Sequence, residues 1–378
     1  MGGVFAAGAA AHGTACATVF VAALCIMGFQ RRQHRRFGRL AGWPGLVTTA
    51  VGAAGVGLLA FAVYPLPTSA PDPCVTASGF PAPAALGAAV ESGAGVRHAA
   101  AAAAALVPAG LLLGYRYRCG VLATVALCAL LAAGVEAVQF TGLLGAYPCP
   151  FRVAAAGDVL LGAAGGLLGR MLSVGAARLL PRAWPGAAAD LLPPGLGRRL
   201  LARALDLAVC AGGACAAAAV AASWVPPIAG GGPLTEERVR TAVLAASVLV
   251  FAGVVPLLRR DRATPGQAAC YVALAGAAWP HPAPRLRVLL RNALLIVPII
   301  LLWAAGLGWW IPAAGALHGL PALVRRDQAG LLDLLARTRV RTRCAVVGGL
   351  PDELVRFVPS SHEPPPEPAG ARPQADNG

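Results

Sequence analysis

"HGTACATVFVAALCIMGFQRRQHRRFGR", residues 12–39, sets a run free of Asp, Glu, Lys and Arg directly against a block of arginines. As an α-helix, residues 12–29 would rise about 1.5 Å per residue. That is close to the roughly 30 Å hydrocarbon core of a bilayer, where a helix satisfies its own backbone hydrogen bonds. The run therefore reads as a membrane span. The block after it reads as a cytoplasmic flank, which puts the N-terminus outside. A cleaved signal peptide would carry its basic residues before the apolar run, so the segment is read as part of the mature chain.

The same pattern recurs along all 378 residues, of which 57% are hydrophobic and 12% charged, with a mean hydropathy of +0.68. Further runs cover residues 43–64, 98–115, 121–145 and 153–174. "RLLPRAWPGAAADLLPPGLGRR", residues 178–199, then interrupts the apolar pattern with prolines and charge, as a linker does. A second module adds runs at 200–222 and 242–258, a moderately apolar interfacial stretch at 267–287, and a long stretch at 292–324. That last stretch is basic at both flanks, so it is read as two short or re-entrant segments turning outside at Trp309 and Trp310. The expected fold is all-α, a polytopic membrane protein of about nine segments in bundles of five and four. The expected domains are 1–180, a cytoplasmic linker 181–197, a second membrane domain 198–345, and a disordered Pro-rich cytoplasmic tail 346–378.

The formal charge of +15 could suggest nucleic acid. Position argues against it. All 31 basic residues are arginines, clustered in short segments between apolar runs, and only Arg97, Arg152, Arg238 and Arg240 fall outside on this topology. The charge is read as topology, with the bilayer as partner and the C-terminus inside. There is no Walker-type loop, no G-x-S-x-G elbow, no H-E-x-x-H and no paired C-x-x-C. The chain is read as non-enzymatic, without cofactor or metal.

Ionisable groups inside apolar runs are costly and so attract functional readings. Glu136 and Gln139 share a helical face at i, i+3. With a turn near Tyr147, Asp158 would lie at the depth of Glu136 and Arg152 nearer the outer surface. Two readings stay open: a ligand or ion pocket facing outward, or a charge lock between helices. Gly162–Gly166 and Gly165–Gly169 carry the small-xxx-small spacing that lets helices approach closely. Arg203 and Asp206 are also i, i+3, and are read either as an ion pair tethering the helix to the inner interface or as part of a proton or monovalent-cation relay with Asp333. Asp206 is expected to pair with Arg203 or Arg291. His318 is read as a core residue. Of ten cysteines, only Cys74 and Cys149 are external on this topology, so they are the pair expected to form a disulfide.

Two family resemblances bear on these residues. "VEAVQF", Arg152 and "GDVLLGAAGGLLG" resemble the VanZ-like family, which implies an envelope role, tolerance of glycopeptide-type antibiotics or contact with a cell-wall or lipid-linked ligand. The chain departs from that family in the run "AAAGDVLLGAAG", where more polar residues are usual. "GRRLLARALDLAV", "ATPGQ" and "RRDQAGLLDLLARTRV" resemble the RDD family, which by matching positions picks out Arg203, Asp206, Arg291 and Asp333. Tyr271 and Ala273 stand where that family often has Gly and Arg.

Overall fold

A computed structural model describes residues 2–64, 93–142, 156–224, 233–277, 281–325 and 327–355. Seven of its helices contain segments long and apolar enough to cross a membrane. In chain order the first six helices are α1 (Gly2–Phe37), α2 (Gly42–Val63), α3 (Gly93–Tyr115), α4 (Val121–Phe140), α5 (Ala156–Leu179) and α6 (Leu196–Trp224). Next, α7 (Pro233–Val248) runs on through a π-helical stretch, Leu249–Val254, to Leu258. A short α8 (Pro265–Ala269) leads into strand β1 (Val272–Gly276). Then come α9 (Arg285–Ala304), a 3-10 turn at Gly308–Trp310 and α10 (Ile311–Val324). The described chain closes with α11 (Leu331–Leu335), β2 (Thr338–Thr342), α12 (Arg343–Val347) and α13 (Asp352–Val355). The fold is that of an all-α polytopic membrane protein carrying one small sheet.

Glycines decide the packing of α3, α4 and α5. A Cβ on Gly165 or Gly169 would strike the carbonyls of Ala103 or Val107 on α3, and one on Gly162 or Gly166 would strike Ala132 or Cys128 on α4. The two interleaved small-residue pairs thus serve two different neighbours, which explains why α5 carries four glycines one turn apart. Cys128 opposite Gly166 and Ala132 opposite Gly162 define an antiparallel register. One further turn along that register, Glu136 is level with Asp158.

The arginine-rich end of this bundle is closed by polar ties. Trp43 donates its indole N–H to Tyr115 Oη at 2.7 Å, and Tyr115 donates to the Pro181 carbonyl. Arg116, buried, reaches the Ala183 carbonyl at 2.9 Å and Gln33 Oε1 of α1 at 3.1 Å.

The longest helix departs from the sequence-based division. α1 packs along α6, and its Ala23 joins Leu205 and Val209 of α6, Val272 and Leu274 of β1, and Val288 of α9 in a single apolar core. The linker is docked too, since Ala188 exchanges backbone bonds of 3.0 Å with Phe37 and Arg39. Strand formation in the stretch expected only to lie at the interface is the other departure. β1, buried at every residue, pairs antiparallel with β2, Val272 opposite Thr342 and Gly276 opposite Thr338. Alternation in "TRVRT" explains it, because Thr338, Val340 and Thr342 turn inward while Arg339 and Arg341 turn outward.

Candidate functional site

The polar centre of the C-terminal half is assembled from α6, the loop before α8, α9 and α11. The "ATPGQ" loop has a reason for almost every letter. Thr264 is the N-cap of α8, its Oγ1 accepting from Gln267 N at 3.4 Å while Gln267 Oε1 accepts from Thr264 N at 3.1 Å, a reciprocal capping box. Pro265 takes the first helical position, where no N–H is needed. Gly266 lies so close to α6 that a Cβ would strike the Ala202 carbonyl. Asp206 of α6 then accepts from Thr264 Oγ1 at 2.6 Å and from Gly266 N at 2.7 Å.

Arg291 and Asp333 form the second part. Arg291 Nε donates to Asp333 Oδ1 at 2.6 Å, with the two side chains 2% and 4% exposed. Gly330 N donates to the other carboxylate oxygen at 3.3 Å. Burial alone would raise the Asp333 pKa, but the charge and hydrogen bond of Arg291, the Arg203 charge and the Gly330 N–H together hold it below the ordinary carboxylate value. His318, half-buried, accepts from Leu332 N at 3.2 Å and so ties α10 to α11. Arg199 donates to the carbonyls of Pro194, Gln328 and Val340, joining α6 to the segment between α10 and β2.

Arg203 is half-buried on α6, one turn before Asp206. The expected pairing of Asp206 with Arg203 or Arg291 does not form among the described residues. The loop donors of Thr264 and Gly266 take the Asp206 oxygens, and Asp333 takes Arg291.

Three further ties were not anticipated. Asn292 of α9 donates to the Ala252 carbonyl inside the π-helical stretch of α7, where a widened turn frees a carbonyl. Arg198 links buried Asp190 at 2.7 Å to the Cys270 and Tyr271 carbonyls at 2.5 and 3.1 Å. Arg259 holds Asp261 in a two-pronged contact of 2.9 and 2.7 Å. Asp190 and Asp261 each stand near an arginine in sequence, and that spacing was the available signal.

At the opposite end of the N-terminal bundle, Asp158 pairs with His98 of α3 at 2.9 Å, a partner the sequence had not suggested. Gln139 donates to the Ala62 carbonyl at 3.2 Å, capping the end of α2 instead of reaching a carboxylate. Glu136 is half-buried. Arg152, Cys74 and Cys149 lie outside the described residues. The eight described cysteines are free thiols, and burial pushes Cys270 up to about 12, against the Arg198 charge and with that of Asp206. A thiol so placed is a poor nucleophile. Among the described residues no group of three or more His, Cys, Asp or Glu could hold a metal.

Seven spanning helices with a charge-paired centre among α6, α9 and α11 define a multi-pass helical membrane protein. Within it, residues 193–337 match the model of the RDD family, a membrane domain, and the match takes in Arg203, Asp206, Arg291 and Asp333. The N-terminal half has no VanZ-like match. No curated protein and no solved structure matches the chain. The RDD match and the apolar helices support a bacterial integral membrane protein.

Proposed function

We propose that the chain is a non-enzymatic protein of the bacterial cell envelope that couples an outward-facing helical bundle to a rigid platform on the cytoplasmic side. The N-terminus is outside and the arginine-rich ends of the helices face the cytoplasm, as the charge distribution favours. One observation carries the reading: α1, the first helix of the chain, packs into the core of the RDD-matched half and is tied through Gln33 to Arg116 of the N-terminal bundle. The RDD cluster suits a platform, because Asp206 takes two donors from the loop that opens α8 and Asp333 takes Arg291 of α9 and the Gly330 N–H. On this reading the outer group of Glu136, Gln139, Arg152 and Asp158 meets the envelope ligand, and glycopeptide tolerance is the phenotype that the VanZ-like resemblance suggests.

The second reading is exchange of protons or monovalent cations through Asp206. It is favoured by the half-buried carboxylate on a spanning helix beside Arg203. A deletion strain complemented with wild type, Asp206→Asn or Glu136→Ala separates the two. Coupling predicts altered glycopeptide susceptibility in Glu136→Ala with unchanged salt and alkaline-pH tolerance. Exchange predicts the reverse dependence on Asp206, together with sodium-dependent proton movement in reconstituted vesicles that Asp206→Asn abolishes. Unchanged glycopeptide susceptibility in the deletion strain itself would remove the tolerance reading.

A further inference from the structure

We propose that a cleft between the last turn of α1 and the 343–352 segment binds a phosphomonoester or inorganic phosphate. The cleft holds about 140 Å³ and is lined by His34, Arg35, Tyr271, Arg343 and Asp352 together with the turn 348–351.

Two observations point to an anion that still carries a proton. His34 is 4% exposed, and its Nδ1 is 2.9 Å from the Gly38 carbonyl, a contact that requires the proton on Nδ1. Nε2 is then the ring nitrogen left for the cleft, and it has no partner among the described residues. As part of the cleft lining, that nitrogen is an acceptor available to a donor on a bound group.

The second observation is the Arg343 guanidinium. Its nearest carboxylate is Asp261 at 3.5 Å, beyond good hydrogen-bond length, and both Asp261 oxygens are already taken by Arg259. Arg343 is held instead over the Tyr271 ring, 5.5 Å from its centroid. Arg35, by contrast, is paired with Asp352 at 3.1 Å. The cleft therefore has one cation that shares its carboxylate with Arg259 and one ring nitrogen that no described residue meets.

A hydrogen phosphate group answers both. Its P–O⁻ oxygens accept from Arg343, a fit that guanidinium makes well, and its P–OH donates to His34 Nε2. Gly348 and Gly349, with φ of +82° and +102°, leave the first half of the 348–351 segment without side chains. Sulfate, which has no proton to donate near neutral pH, should bind poorly. A phosphodiester headgroup is excluded on the same ground, whereas phosphatidic acid and soluble phosphomonoesters share the required chemistry.

The test uses the full chain in phosphatidylcholine nanodiscs, with thermal unfolding followed in phosphate and in sulfate at matched ionic strength. Phosphate is expected to raise the midpoint and sulfate to leave it unchanged. Arg343→Gln should weaken the phosphate effect at least tenfold in apparent affinity. Because this variant also loses its contact with Tyr271, its ligand-free midpoint is measured alongside. His34→Phe, which keeps a ring against Tyr271, should lose the preference for phosphate over sulfate. Discs containing phosphatidic acid identify the source: if the lipid occupies the cleft, added phosphate no longer shifts the midpoint, and if a soluble compound is the natural ligand the shift persists. Equal shifts with phosphate and sulfate, no shift with either in phosphatidylcholine, or an undiminished phosphate effect in Arg343→Gln would overturn the proposal.

Discussion

Tyr271 stacks on His34 with ring centroids 5.8 Å apart and planes inclined by 27°, and it does so from a backbone whose φ is +53°. A side chain in that left-handed region costs roughly 1 kcal/mol relative to glycine. The RDD resemblance places a frequent glycine at this position, so the strain has a visible return. The ring joins α1 to the RDD-matched half and supports Arg343, contacts worth about 0.5–1.5 kcal/mol each beyond the area they bury.

Replacing Tyr271 therefore sets relieved strain against lost packing. Because the residue is 9% exposed, truncation to glycine removes most of a buried aromatic side chain. Large-to-small changes of this kind cost about 3–5 kcal/mol, which exceeds the strain relieved. Tyr271→Gly should lower the unfolding midpoint clearly and Tyr271→Phe hardly at all, as read by thermal unfolding in detergent. A Tyr271→Gly protein as stable as wild type would show that the ring does not hold α1.

Arg291 and Asp333 give a prediction in pH. The folded Asp333 pKa lies below the unfolded carboxylate value of about 3.9. Its contribution to stability is therefore fully present above that unfolded value and is lost as pH falls through the lower folded one. Unfolding midpoints measured between neutral and strongly acidic pH should drop more steeply for wild type than for Asp333→Asn. At neutral pH, Arg291→Ala leaves Asp333 buried without its ion partner, a change that typically costs about 3–5 kcal/mol. The double variant Arg291→Met with Asp333→Leu should recover much of that loss.

The residues that share one physical cause were legible. Apolar length and arginine position marked the spans, and small-residue spacing marked the face of α5 that meets α3 and α4. The Arg291–Asp333 pair was within reach because a buried carboxylate requires a cation. Pairings fixed by backbone geometry were not. Asp206 looks from spacing like a partner for Arg203, yet the sharp approach of Gly266 to α6 brings loop donors to it first. β1 and β2 escaped for a related reason. "VALAG" is buried on both faces and shows no alternation, and an apolar run of five residues does not distinguish strand from helix. The position of α1 was also hidden, since its sequence says how far it reaches and nothing of which neighbour it meets.

Helix α5 allows a controlled test of close packing. Gly165 has no room for a Cβ against the Ala103 carbonyl, whereas Gly175 on the same helix has nothing within 4 Å. In a helix, alanine is favoured over glycine by up to about 1 kcal/mol when space allows. Gly175→Ala should be neutral or stabilising, and Gly165→Ala should destabilise by forcing α3 and α5 apart. Similar midpoints for the two variants would refute the assigned interface.

The packing of α1 against α6 is open to direct chemical capture. Cys16 of α1 and Cys215 of α6 lie along the α1–α6 contact, and both are free thiols. At Gly212, one turn before Cys215, a Cβ would come within 3.0 Å of the Cys16 carbonyl, so the two backbones are close as well. A disulfide needs Cα atoms about 4.4–6.8 Å apart, and two helices this near can reach it with small adjustments. A mild membrane-permeant oxidant applied to isolated membranes should therefore link the Cys16 and Cys215 peptides, as identified by mass spectrometry of the unreduced digest. Cys16→Ser should abolish the linked peptide. Gly212→Leu, which pushes α1 outward, should reduce its yield several-fold without removing either thiol. The cross-link is informative about more than one contact, because α1 lies along α6 only if the first helix of the chain completes the RDD-matched half. Efficient linkage of Cys16 to any other cysteine, with none to Cys215, would place α1 elsewhere and remove the coupling between the two halves.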